Sequence, residues 1–110
     1  MTGPAYGELL RRYERAVDDV ESGYELGLDD YLNDLDARQL LEERRGEASA
    51  EEAARIEAAD RRLRATTQLR RRCLWGTASA RRNGWTQEAS WWYWSVPLDP
   101  GEDLAAELEA

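Results

Sequence analysis

Hydrophobic positions in the first quarter of the chain recur at helical spacing. Tyr6, Leu9, Leu10, Tyr13, Val17, Val20 and Tyr24 fall three, four or seven residues apart, and Glu8, Arg11, Arg12, Arg15, Asp18 and Asp19 occupy the opposite side. This pattern predicts an amphipathic helix over residues 5–22, stopped by Ser22-Gly23. A second stripe, Leu28, Tyr31, Leu32 and Leu35, predicts a helix over residues 29–45 with Asp29 as N-cap. Leu40 and Leu41 leave that stripe. Either both sides of the helix are buried, or the chain bends near Asp36, where Asp36-Ala37-Arg38-Gln39 has the form of a capping box.

Ser49-Ala50-Glu51-Glu52 is the clearest capping box in the chain and opens the third helix. Ile56, Ala59, Leu63, Thr66, Thr67, Arg70 and Leu74 share one side of it. Continuing the periodicity carries this helix over residues 50–82, through Gly76, which costs roughly 1 kcal/mol relative to Ala inside a helix. The alternative is a stop at Gly76 and a hairpin turning at Asn83-Gly84. Residues 85–90 read as a polar connector. Asp99-Pro100-Gly101-Glu102 opens a short last helix over residues 100–109, with Asp99 as N-cap.

The densest hydrophobic run is Trp91-Trp92-Tyr93-Trp94-Ser95-Val96-Pro97. It is expected to be extended over residues 91–96 and to end at Pro97. In an extended chain, Trp91 and Tyr93 would share one face, and Trp92 and Trp94 the other. One pair could lie on the helices, leaving the other for a further packed element, a second subunit or a ligand. The expected fold is therefore all-α: one domain over residues 1–110, with a three-helix antiparallel bundle, a Trp-rich extended segment packed across it, and a short terminal helix.

Composition narrows the chemistry. The chain has 110 residues, a net charge of −8, no histidine and one cysteine. Lack of histidine removes Ser-His-Asp and Cys-His nucleophilic sites and histidine-based zinc sites. Cys73 cannot form an internal disulfide. It follows Arg70-Arg71-Arg72, which would lower the pKa of an exposed thiol, but a buried structural thiol is the expectation. No basic segment leads into an apolar run at the start, and no stretch has membrane-spanning length, so the expected location is the cytoplasm, with no membrane contact.

The charge lies in blocks. Residues 1–60 carry seven arginines and seventeen acids, residues 61–95 eight arginines and one acid, and residues 96–110 five acids and no arginine. The simplest account sets the arginines against the acids within the fold or across a homodimer.

Three functions remain. The first is a small acidic, non-enzymatic protein-interaction module of inhibitor, immunity or adaptor type, because Trp, Tyr and Arg are enriched at binding hot spots. Its candidate residues are Trp92, Trp94, Tyr93, Trp85, Arg81, Arg82 and Arg71, and its partner is a protein. The second is nucleic-acid binding through the same region, disfavoured by the acidic remainder of the chain. The third is a Mg-dependent nucleotide phosphohydrolase holding the cation between Glu57-Ala-Ala-Asp60 and Asp18-Asp-Val-Glu21. In a chain with 23 acids such pairs arise by chance, so no metal and no cofactor is expected. Asp60 borders the apolar side of its helix, and burial there would demand an arginine or a tyrosine hydroxyl. The acidic set Asp29, Asp30, Asp34 and Asp36 lacks EF-hand spacing and reads as a solvated face with caps.

Overall fold

A computed structural model describes residues 4–109; residues 1–3 and 110 of the expected 1–110 domain lie outside it. Helix α1 (Tyr6–Glu21) is followed by α2 (Leu28–Glu43), a 3-10 turn (Arg45–Glu47) and α3 (Ala50–Ala65). Then come strand β1 (Thr67–Leu69), α4 (Thr77–Asn83), a second 3-10 turn (Trp91–Trp94), strand β2 (Ser95–Pro97) and α5 (Glu102–Glu109). The described chain is mostly helical, with one small antiparallel sheet in which Gln68 faces Val96 and Leu69 faces Ser95.

Helix α1 lies where its stripe predicts, with Leu9, Leu10, Tyr13, Val17 and Val20 buried. It packs on both α2 and α3. Against α2 it runs antiparallel: Tyr6 donates to the Leu41 carbonyl at one end, and Tyr24, just past α1, donates to Asp34 at the other. Against α3 it runs parallel, since Glu14 takes Arg55 while Asp18 and Glu21 take Arg62. The Ser49 box forms as expected: Ser49 Oγ accepts from the Glu52 amide at 3.1 Å, and Glu52 Oε1 accepts from the Ser49 amide at 3.0 Å.

Several boundaries differ from expectation. Helix α2 begins at Leu28, with Asp29 inside its first turn rather than capping it; Glu107 of α5 instead accepts from the Leu28 amide at 3.3 Å. Helix α2 runs unbroken through Asp36, and both members of the expected box are engaged elsewhere. Asp36 accepts from the Tyr93 hydroxyl, and Gln39 accepts from Trp92. Helix α2 is instead buried on more than one side, through Leu35, Ala37 and Leu41.

The long helix over 50–82 does not form, and α3 stops at Ala65. Thr66 and Thr67 end it: their hydroxyls bond back to the Leu63 carbonyl, and Thr66 also reaches that of Arg62. β-Branched residues favour extended backbone, and here a strand is available to pair with them. Gly76 then takes φ +96° ahead of α4, a conformation that suits glycine, and Gly84 at φ +72° caps α4 in the left-handed region.

The aromatic run is corrected too. Trp91–Trp94 is a 3-10 turn, and only Ser95–Pro97 is extended. In a 3-10 turn side chains leave about 120° apart, so no two-face alternation arises. Trp91, Trp92 and Tyr93 all enter the core. Helix α5 begins at Glu102, and Asp99 is not its cap. The Asp99 carbonyl accepts from the Tyr24 amide, and the Gly101 amide donates to the Tyr24 carbonyl at 2.5 Å, clasping this segment to the end of α1.

Candidate functional site

A polar cluster reaches into the core from its edge around the buried Arg38. Arg38 is 3% exposed, yet each nitrogen of its guanidinium donates. Nε and Nη2 reach the two Asp60 oxygens at 2.9 and 3.0 Å, and Nη1 reaches Glu42 at 3.0 Å. The Tyr13 hydroxyl donates to Asp60 Oδ1 at 2.6 Å. The guanidinium carbon lies 4.1 Å from the centre of the Trp92 ring, a cation–π arrangement. Asp60 thus has both partners that its position demanded. Burial disfavours the charged form of Glu42, but Arg45 and Arg38 outweigh it and hold the carboxyl below its ordinary value.

This arrangement accounts for the candidate cation site. Asp60 is held by Arg38 and Tyr13, Asp18 and Glu21 are both bound by Arg62, and Glu57 faces Arg61 at 3.7 Å on the surface. The four carboxylates are dispersed onto arginines. Among the described residues, no group of three or more acids and cysteines is placed to hold a metal ion.

The tyrosines form a second system. Every one of the five hydroxyls donates: Tyr6 to the Leu41 carbonyl, Tyr13 to Asp60, Tyr24 to Asp34, Tyr31 to the Ser95 carbonyl and Tyr93 to Asp36. Burial raises the pKa of all five, and carboxylates beside Tyr13, Tyr24 and Tyr93 raise theirs further. Asp34 and Asp36, read from sequence as part of a solvated acidic face, are acceptors for buried tyrosines. Burial raises the Asp34 pKa, opposed by the hydroxyl it accepts from. Burial also raises the pKa of Cys73, so the arginines before it do not activate the thiol.

The candidate binding residues divide. Trp92 and Tyr93, 1% and 2% exposed, lie in the core rather than on the expected binding surface, Tyr93 only edging a shallow hollow beside Trp75. Trp92 Nε1 donates to Gln39 Oε1 at 3.2 Å, and Tyr93 packs against Trp85 with ring centres 4.5 Å apart. Arg71, Arg81, Trp85 and Trp94 converge on one open cavity of about 580 Å³, to which Arg72 also contributes. Arg82 is exposed but stands outside the lining.

Local structure explains this convergence. The left-handed Gly84 turns the chain back after α4, placing Trp85 beside Ala80 and Arg81. Gln87 Nε2 then donates to the Arg70 carbonyl at 2.5 Å, which holds the 85–90 connector against the end of β1. Arg72 belongs to the basic run Arg70-Arg71-Arg72, whereas no sequence motif marks Gln87. Gln87 sits in an unpatterned polar connector, and its partner is a main-chain atom that no sequence pattern marks.

The arginines also divide by pairing. Arg38, Arg44, Arg45, Arg55, Arg61 and Arg62 each have a carboxylate within 4.0 Å. Arg64 lies over the Trp91 ring at 4.0 Å, and Arg70 reaches the Leu108 carbonyl at 3.4 Å. Among the described residues, Arg11, Arg12, Arg15, Arg71, Arg72, Arg81 and Arg82 have no such acid, although Glu88 lines the same cavity as Arg71, Arg72 and Arg81. Internal charge complementarity therefore accounts for Arg61 and Arg62 and stops short of the cavity.

Comparison with protein-family models, with curated proteins and with solved structures gave no significant match. No helix among the described residues is long and apolar enough to cross a membrane.

Proposed function

We propose that the chain is a non-enzymatic protein-interaction module whose binding face is formed by Arg71, Arg72, Arg81, Trp85 and Trp94. The observation that carries this reading is the contrast among the arginines. Arg11, Arg12, Arg15 and Arg82 also lack a carboxylate within 4.0 Å among the described residues, but of these unpaired arginines only Arg71, Arg72 and Arg81 line a described cavity, one that two half-buried indoles line as well. Arginine and tryptophan are the side chains most often found at the energetic centre of an interface. Unneutralised guanidinium groups select an acidic partner surface. We read the scaffold beneath as an antiparallel bundle of α1, α2 and α3, needing no cofactor and acting in the cytoplasm.

The test is affinity capture from the source lysate with the wild-type chain, the double variant Arg71→Ala/Arg81→Ala and the control Arg82→Ala, followed by reconstitution with the purified partner. The expected result is one protein partner retained by wild type and control, and lost by the double variant. Equal capture by all three overturns the reading. Capture abolished by nuclease treatment would assign the face to nucleic acid instead, and light scattering on the isolated chain reports whether the partner is a second copy.

A further inference from the structure

The cavity has a shape and chemistry of its own. Its volume of about 580 Å³ lies within the roughly 300–1,000 Å³ range of small-molecule sites. Trp85 and Trp94 line it, together with Ala80 of α4. Arg71, Arg72, Arg81 and Glu88 also line it, three cations to one acid. The next comparable hollow, about 400 Å³ beside Trp75 and Tyr93, contains Asp36 and Glu43 and no arginine. Among the described cavities, combined indole walls and surplus positive charge mark the first alone.

We propose that this cavity binds a small planar aromatic anion, a ring system bearing a carboxylate or a phosphate. The ring would lie against the indoles, where aromatic contact adds to apolar burial. The anionic group would meet the guanidinium forks, which match both carboxylate and phosphate geometry with paired N–H donors. A neutral ring leaves those cations unmatched, and a bare inorganic anion leaves the indole walls unused. Extended polyanions are disfavoured, because the protein carries a net charge of −8 and its field repels them outside the cavity. The proposal stands on the cavity itself and does not depend on a protein docking there.

The test is calorimetric titration of the intact chain with 2-naphthoate and with AMP. Their neutral counterparts 2-naphthamide and adenosine, inorganic phosphate, and a single-stranded oligonucleotide serve as comparisons. The expected result is saturable binding of at least one aromatic anion, about tenfold or more tighter than its neutral counterpart, or about 1.4 kcal/mol. The naphthoate and AMP arms separate a carboxylate from a phosphate ligand. Arg71→Ala/Arg81→Ala should lose binding by a similar factor while Arg82→Ala retains it. Both sets of side chains are exposed, and circular dichroism of each variant confirms that the fold persists. A second readout is protection of wild-type tryptophan fluorescence from acrylamide by AMP or 2-naphthoate, whichever binds. Absence of saturable binding by both anions, equal affinity for the neutral compounds, unchanged affinity in the double variant, or preference for the oligonucleotide overturns the proposal. Loss of protein capture in the double variant without aromatic-anion binding would remove this site and leave the interaction module standing.

Discussion

Arg38 and Asp60 join α2 to α3 through two parallel hydrogen bonds at the edge of the core, Nε to Oδ1 at 2.9 Å and Nη2 to Oδ2 at 3.0 Å. The pair is not isolated. Tyr13 adds a donor from α1 and Trp92 supplies a ring face, so one ion pair collects four separate parts of the chain.

Removing one partner of a buried pair strands the other charge, at a cost of about 3–5 kcal/mol. Arg38→Ala and Asp60→Ala are each expected to destabilise by about 3 kcal/mol or more, read as the fall in urea midpoint. The double variant Arg38→Met/Asp60→Leu, built on a Tyr13→Phe background so that no buried hydroxyl loses its acceptor, should recover much of that loss, because it removes both charges and keeps the volume. A double variant as unstable as the singles combined would show that the pair is not coupled.

Two neighbouring tryptophans should respond differently to loss of the indole nitrogen. Trp92 Nε1 has Gln39 as acceptor, and its ring faces Arg38. Trp94 Nε1 is shielded from solvent with no acceptor among the described residues. A shielded donor without a partner is itself a destabilising feature. Trp92→Phe is therefore expected to cost roughly 1 kcal/mol more than Trp94→Phe in chemical unfolding.

The tyrosines predict the alkaline limit of stability. All five have pKa values raised above the ordinary 10.0, chiefly by burial. In that range the folded chain holds protons that the unfolded chain releases. Stability from this source is fully present below pH 10 and falls as pH rises above it. Tyrosinate absorbance should stay low beyond pH 10 and then rise together with loss of helical dichroism. Smooth titration centred on pH 10 in a folded protein would contradict this.

Gly101 marks a close backbone contact. A Cβ there would lie 2.7 Å from the Tyr24 carbonyl oxygen and 3.0 Å from Glu25 Cα, both main-chain atoms. Gly101→Ala must open the clasp, since neither neighbour can rotate away. The expected loss is about 1–3 kcal/mol, with faster hydrogen exchange at the Tyr24 and Gly101 amides. The control Gly46→Ala has open space around it and should be nearly neutral.

The sequence was most legible where a local pattern decides the structure. The α1 stripe and the Ser49 box were read correctly, because spacing and capping act within a few residues. Asp60 was readable as a residue needing an arginine or a tyrosine; which arginine was not, because Arg38 comes from another helix. The end of α3 was missed because Thr66 and Thr67 fit the helical stripe. The strand partner of Thr67 is Pro97, thirty residues away and outside any local window. The aromatic run failed for a related reason. Composition places Trp92, Tyr93 and Trp94 together as sticky residues, but the 3-10 turn sends two into the core and leaves only Trp94 at the cavity.

The clasp between Tyr24 and residues 99–101 also sets an order of events. Helices α1 and α2 can form as soon as they are synthesised. Yet Tyr31 finds its acceptor only at Ser95, the Tyr24 backbone only at Asp99 and Gly101, and Arg38 its closest ring at Trp92. Contacts of such long separation close slowly and late. A nascent chain halted before residue 92 would display these unsatisfied groups to chaperones and proteases, and folding would complete in one late step once residue 101 is free of the ribosome.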